Sequence, residues 1–206
     1  MKKVFVRIAL FIFITGIHST YAQAQVSNTT PRPSHSNTHQ VPDPGNTIRQ
    51  GVKRIQVFLA TDALANPAQV QAFLEKEVAP GFDFTAMTQL ILGPLNYHIN
   101  EQQRQGVTVM VRQAFLKALG ANLSSYRGGR VGSIRVTGNP DRGRVTARLA
   151  IYMPNQYPTA IELRIALGPK GWKIIDVSAN GISAVAHYRN FVRSVVQRSG
   201  IEGLLP

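Results

Sequence analysis

The 206 residues include no cysteine, which excludes disulfides and a lipid-modified cysteine alike. Stability must come from a buried core, and a domain of about 150 residues buries about 70% of its unfolded-chain surface. Acids are scarce, ten Asp and Glu against 23 Lys and Arg. Histidine is nearly absent from the part that reads as folded, where only His98 and His187 occur, and no His, Cys, Asp or Glu cluster has metal-ligand spacing. There is no glycine loop for phosphate. Gly181-Ile182-Ser183 follows a strand and opens a helix, but Val185 occupies the last glycine position of a G-x-S-x-G nucleophile elbow. The apolar run Ile8 to Ile17 falls short of the roughly 20 residues that span a bilayer.

That run has another reading. Lys2, Lys3 and Arg7 precede it, and Ala22-Gln23-Ala24 follows as a small-x-small cleavage pattern, so residues 1–24 are expected to be a cleaved secretory signal peptide. No paired arginines point to export in a folded state. The expected destination is the periplasm. Losing Lys2, Lys3 and Arg7 lowers the formal charge from +13 to about +10. In such a compartment the partner for that charge is an anionic membrane surface, at about 1 kcal/mol per Lys or Arg; the alternative is a solvated basic surface. Nucleic acid is not an expected partner.

Residues 25–45 are Ser, Asn, Thr, Pro and His with little to bury, which predicts a disordered linker containing His35 and His39. The domain is expected over 46–206. Asn46 reads as a cap for Ile48, Val52, Ile55 and Leu59, whose helical spacing continues to Ala63. Pro67 starts a second helix with Val70, Phe73, Leu74 and Val78 on one side, ended by Pro80-Gly81. Asp83 caps a short helix carrying Met87, Leu90 and Ile91 up to Gly93-Pro94. Asn100 opens the longest helix, striped by Val107, Met110, Val111, Ala114, Phe115 and Ala118.

After Leu123 the period becomes two. Ile134 and Val136; Val145, Ala147, Leu149, Ile151 and Met153; and Ile161, Leu163, Ile165 and Leu167 alternate with polar residues. Trp172 to Val177 makes a fourth run. Short turns join them into an antiparallel meander with one apolar face. Ser178-Ala179-Asn180-Gly181 then turns into a helix carrying Val185, Tyr188, Val192, Val195 and Val196. The fold class is α+β: N-terminal helices packed on a four-stranded antiparallel sheet, a closing C-terminal helix, and an apolar pocket between them.

Three functions fit these parts. A hydrophobic-ligand binder uses the apolar surface. A small curved-sheet enzyme would use Asp176 and Tyr188 for proton transfer, against which Asp176 can pair with an arginine such as Arg189 or accept N–H groups at the turn. A solid-cored adaptor would use its basic surface.

Trp172-Lys173, Asp176, Gly181, Ser183, Tyr188-Arg189 and Ser199-Gly200-Ile201-Glu202-Gly203-Leu204 resemble the C-terminal signature of the toluene-tolerance, or MlaC, family of periplasmic lipid carriers. Phe82-Asp83-Phe84, Leu92-Gly93, Glu101-Gln102, Leu123 and Tyr126 fall in the family's order upstream. The chain departs from the pattern at Asn180, where Glu is common, at Leu119, where Tyr is, and at Phe191, one place early so that Val192 takes its position. Tyr97 is the nearest aromatic to an expected Trp.

The resemblance implies a non-enzymatic carrier that needs no cofactor or metal. Its partners would be a phospholipid, an inner-membrane ABC-type transporter complex and an outer-membrane lipoprotein complex, with transient membrane contact. A hopanoid or another hydrophobic ligand is the alternative cargo. The acyl chains are expected between a sheet face of Ala147, Leu149, Ile151, Leu163, Ile165 and Ile174 and a helical wall of Phe84, Met87, Ile91, Met110, Val111, Phe115, Val185 and Tyr188.

Overall fold

Asp43, rather than Asn46, caps the first helix. A computed structural model describes residues 43–204, so the expected signal peptide at 1–24, the linker up to residue 42 with His35 and His39, and Leu205 and Pro206 lie outside the described residues. The Asp43 carboxylate accepts from the backbone N–H groups of Gly45 and Asn46, both at 3.1 Å. Pro44 takes the first helical position, where no N–H is required, and α1 runs Pro44–Leu59. The chain then leaves the helix and makes a separate 3₁₀ turn, Asp62–Ala65.

Asn66 caps α2 (Pro67–Phe73), which runs on through a π turn at Leu74–Val78 and a 3₁₀ turn at Ala79–Gly81. Asp83 caps α3 (Phe84–Leu92) by accepting from Ala86 N at 2.8 Å. Asn100 and Gln103 form a reciprocal capping box on α4 (Glu101–Leu123). This helix is buried on two sides. Val107 and Val111 pack with the closing helix, while Leu116 and Leu123 pack with α1 and α2.

The sheet has six strands rather than four: β1 (Arg130–Val131), β2 (Arg135–Asn139), β3 (Arg144–Tyr152), β4 (Thr159–Gly168), β5 (Gly171–Ala179) and β6 (Ile182–Ser183). The order is β1-β3-β4-β5-β6, with β2 beside β1 on the same edge of β3, and every pairing is antiparallel. The two additional strands are two residues long, too short to carry an alternation. β6 covers one end of β5's outer edge. Phe82-Asp83 covers the other, with Asp83 N donating to Ile174 O at 2.9 Å.

A bulge interrupts β5. Leu163 pairs with Val177 and Arg164 with Asp176, but Ile165 pairs with Ile174, leaving Ile175 extra. The phase of alternation reverses there, so Trp172, Ile174 and Val177 share the apolar face while Asp176 joins Arg164 on the other. β5 and β6 are joined by Asn180 (φ 48°) and Gly181 (φ 84°), the left-handed pair that a two-residue hairpin turn requires. Valine at Gly181 is expected to lower stability by about 1–2 kcal/mol, read as a lower urea midpoint at unchanged slope. Helix α5 (Ala184–Ser199) follows.

Candidate functional site

The strand-to-helix corner is held by one carboxylate. Asp176, 1% exposed, accepts from Ser183 Oγ at 2.7 Å and Val185 N at 3.1 Å, and Arg164 Nη1 lies 3.5 Å away. Ser183 Oγ in turn accepts from Ala186 N at 3.0 Å. Together they satisfy the first N–H groups of α5, at the end of the helix where negative charge is favoured. Arginine pairing and N–H acceptance therefore both occur at Asp176, but with Arg164 in place of Arg189. Arg189 instead donates twice to the carbonyl of Leu90, at 3.2 and 2.6 Å, clamping α5 to the C-terminal end of α3. Gln103 Nε2 donates to Glu202 at 3.0 Å and ties α4 to the C-terminal turn. Residues singled out by the resemblance, Asp83, Asp176, Ser183, Arg189 and Glu202, thus hold elements in place.

Tyr188 is 8% exposed, packed among Ile91, Val107, Val111 and Val192. Burial raises its pKa to about 12, which keeps the phenol neutral. His187 stacks edge-on against it, with centroids 5.4 Å apart, and burial lowers the imidazole's pKa.

Buried side chains fall into three clusters. One belongs to the sheet: Val145, Ala147, Leu149, Leu163, Ile165 and Trp172 are buried with Ile48 of α1, and Ile151, Ile174 and Val52 pack against them. The second joins α1, α2, α3 and α4 and holds Phe84 and Met87. The third joins α3, α4 and α5 and holds Ile91, Val111, Val185 and Tyr188, with Met110 packed on it. Phe115 packs against both helical clusters.

The six expected sheet residues therefore share one cluster, and the eight helical residues divide between the other two. The layers meet at β5, where Phe82 lies beside Ile174 and packs its ring 5.0 Å from Phe115 and 5.5 Å from Phe84. Two features were not assigned from sequence. Ile48 and Val52 read as a helical stripe, but nothing in their spacing shows that α1 would lie on the sheet. Phe58 and Phe73 stack at 3.9 Å and floor an open groove of about 520 Å³ between α1 and α2, with Lys53, Arg54, Val57 and Glu77 around it. None of the fourteen expected residues lines that groove.

Among the described residues no group of three His, Cys, Asp or Glu is placed to hold a metal ion, and no helix is long and apolar enough to cross a membrane.

The family model of the MlaC protein matches residues 50–206. The chain belongs to the MlaC family. No curated protein matches it. Among solved structures, a phospholipid-binding protein from Ralstonia solanacearum, determined in complex with a phospholipid, is similar in fold. The two are 22% identical with a TM-score of 0.71, over 79% of this chain and 92% of that one. MlaC membership and the α+β fold agree with the sequence reading. The added strands β1 and β6 are this MlaC-family chain's correction to it.

Proposed function

We propose that this MlaC-family chain is a periplasmic lipid carrier that holds the acyl chains of a phospholipid and moves it between membranes. The observation that carries this reading is the shared fold with a protein solved around a phospholipid. The seam between the sheet's apolar face and the helical clusters is the proposed seat for the tails, with Leu149, Leu163 and Ile174 on one side and Phe84, Met110 and Phe115 on the other. Burial stabilises a bound chain by about 0.8 kcal/mol per CH₂, enough to carry it through water without a covalent bond. Release needs a partner that opens the seam, an inner-membrane ABC-type complex at one end of the route and an outer-membrane lipoprotein complex at the other. The headgroup stays at the mouth, where arginine can neutralise phosphate.

Against the proton-transfer alternative stands the position of Asp176, whose carboxylate accepts from Ser183 Oγ and Val185 N at the start of α5. The test of the carrier reading is native mass spectrometry of the protein purified without detergent, followed by solvent extraction. The expected result is a stoichiometric adduct of phospholipid mass. An adduct of hopanoid mass would change the cargo, and a protein that stays bare after incubation with phospholipid vesicles would overturn the reading.

A further inference from the structure

The positive charge is concentrated on one layer. Residues 43–126, which include α1 to α4, carry seven Lys and Arg against six acids, whereas residues 127–183, which include the whole sheet, carry nine against three. Within the sheet these cations fall on one side, because alternation fixes their face. Arg135 stands directly opposite Arg148, Arg148 opposite Glu162, and Arg164 opposite Thr146. Arg144 is on the same side, four residues from Arg148 along β3, roughly 13 Å at the usual strand rise. Arg135, Arg144, Arg148 and Arg164 are all exposed.

Two of these four arginines have an acidic partner among the described residues and two do not. Arg148 Nε pairs with Glu162 at 2.7 Å, and Arg164 faces Asp176. Arg135 and Arg144 have no ion-pair partner among the described residues. Two guanidiniums held opposite each other on adjacent strands repel, so the face gains when an anionic surface comes against it.

We infer that this arginine face of the sheet is the surface on which the protein rests on an anionic phospholipid bilayer. Ala150, Ala160, Ala166, Thr137 and Thr146 share this side of the sheet, side chains shorter than the guanidiniums among them. A face that gathers many cations suits an anionic lipid surface, which needs charge and no shaped contact. Tyr152 ends the face, 43% exposed with Arg130 5.9 Å over its ring, and Tyr157 in the next loop is 87% exposed. Tyrosine is the side chain enriched at the headgroup level of bilayers. The inference rests on the carrier reading, in which the protein works beside membranes, but its test is separate.

The test is flotation of the purified protein with vesicles of phosphatidylcholine, with and without phosphatidylglycerol. Binding is expected only with the anionic lipid, and it should be lost in about 1 M salt, where the Debye length falls to about 3 Å. Arg135→Gln with Arg144→Gln is expected to lower the partition coefficient about 30-fold, roughly fivefold per arginine. The matched change in the helical layer, Lys53→Gln with Lys117→Gln, removes the same net charge and should lower it by less than about threefold. Arg135→Lys with Arg144→Lys should bind like the parent protein.

Equal losses in the two glutamine variants would overturn the assignment to this face, and so would equal binding to neutral vesicles. Retention by an acidic protein surface with no vesicle binding would assign the face to a protein and overturn it as well. Co-purified lipid is measured on every variant. Protein without lipid that still floats with anionic vesicles counts against the carrier reading alone. Lipid-loaded protein that does not float counts against the docking face alone.

Discussion

Leu149→Trp is expected to give a folded protein stripped of lipid, with at least a tenfold fall in phospholipid extracted per mole of protein. Leu149 lies on β3 opposite Ile161, on the apolar face between Ala147 and Ile151, and is 8% exposed. An indole there projects into the proposed tail space. In a solid core the same change overpacks the interior and costs about 1–3 kcal/mol, with bound lipid beside the point. The two cases separate in one experiment, because lipid content and melting temperature are read on the same sample. Lipid loss with a melting temperature within a few degrees of the parent supports the seam; a large drop in melting temperature with the lipid retained counts against it. Val57→Trp is the companion. Val57 is 61% exposed and lines the groove between α1 and α2, so lipid should be unchanged in that variant. Lipid lost from Val57→Trp and kept in Leu149→Trp would move the tails to the groove floored by Phe58 and Phe73.

Asp176→Val is expected to have the second largest effect, a loss of about 2–3 kcal/mol. The change leaves the Val185 N–H and the Ser183 hydroxyl without their acceptor at a buried corner, and hydrogen bonds to a charged group are worth about 1.5–3 kcal/mol. Arg164 adds little to the total, since its side chain is 46% exposed and water takes over its charge. For a domain of this size the melting temperature should fall by roughly 5–10 °C. Asn at the same position keeps one acceptor and should lose about half as much. Lipid content per folded molecule should be unchanged in both. A catalytic base would behave in the opposite way, with activity lost at unchanged melting temperature, so a thermally silent Asp176→Asn would contradict the structural role given to it.

Much of the fold was legible because its signals are local. Asn66 before Pro67, Asp83 before Phe84 and Asn100 before Glu101 are caps whose hydrogen bonds reach only two or three residues. The alternation of Val145 to Ile151 against Arg144 to Arg148 identified the two faces of β3. Errors came where local pattern gives out. β1 and β6 have two residues each and exist only because β3 and β5 offer them edges to pair with. Asp43 competed with Asn46 for the helix start and won because Pro44 follows it. The bulge at Ile175 moves Asp176 from the side that strict alternation would give it to the side of Arg164, and no residue near it announces the shift.

The site divides in the same way. Composition and periodicity determined that the protein has one apolar sheet face, apolar stripes on its helices and an excess of arginine, because burial and charge are properties of side chains already in the sequence. Tertiary structure decided which layers meet. It laid Ile48 and Val52 on the sheet, split the helical wall into two clusters joined at Phe115, and turned Asp176 to the start of α5. It also gathered arginines 135, 144, 148 and 164 from three strands onto one exposed face. Those outcomes depend on strand register and on contacts between residues far apart in the chain, and a one-residue shift in register exchanges the two faces of a strand.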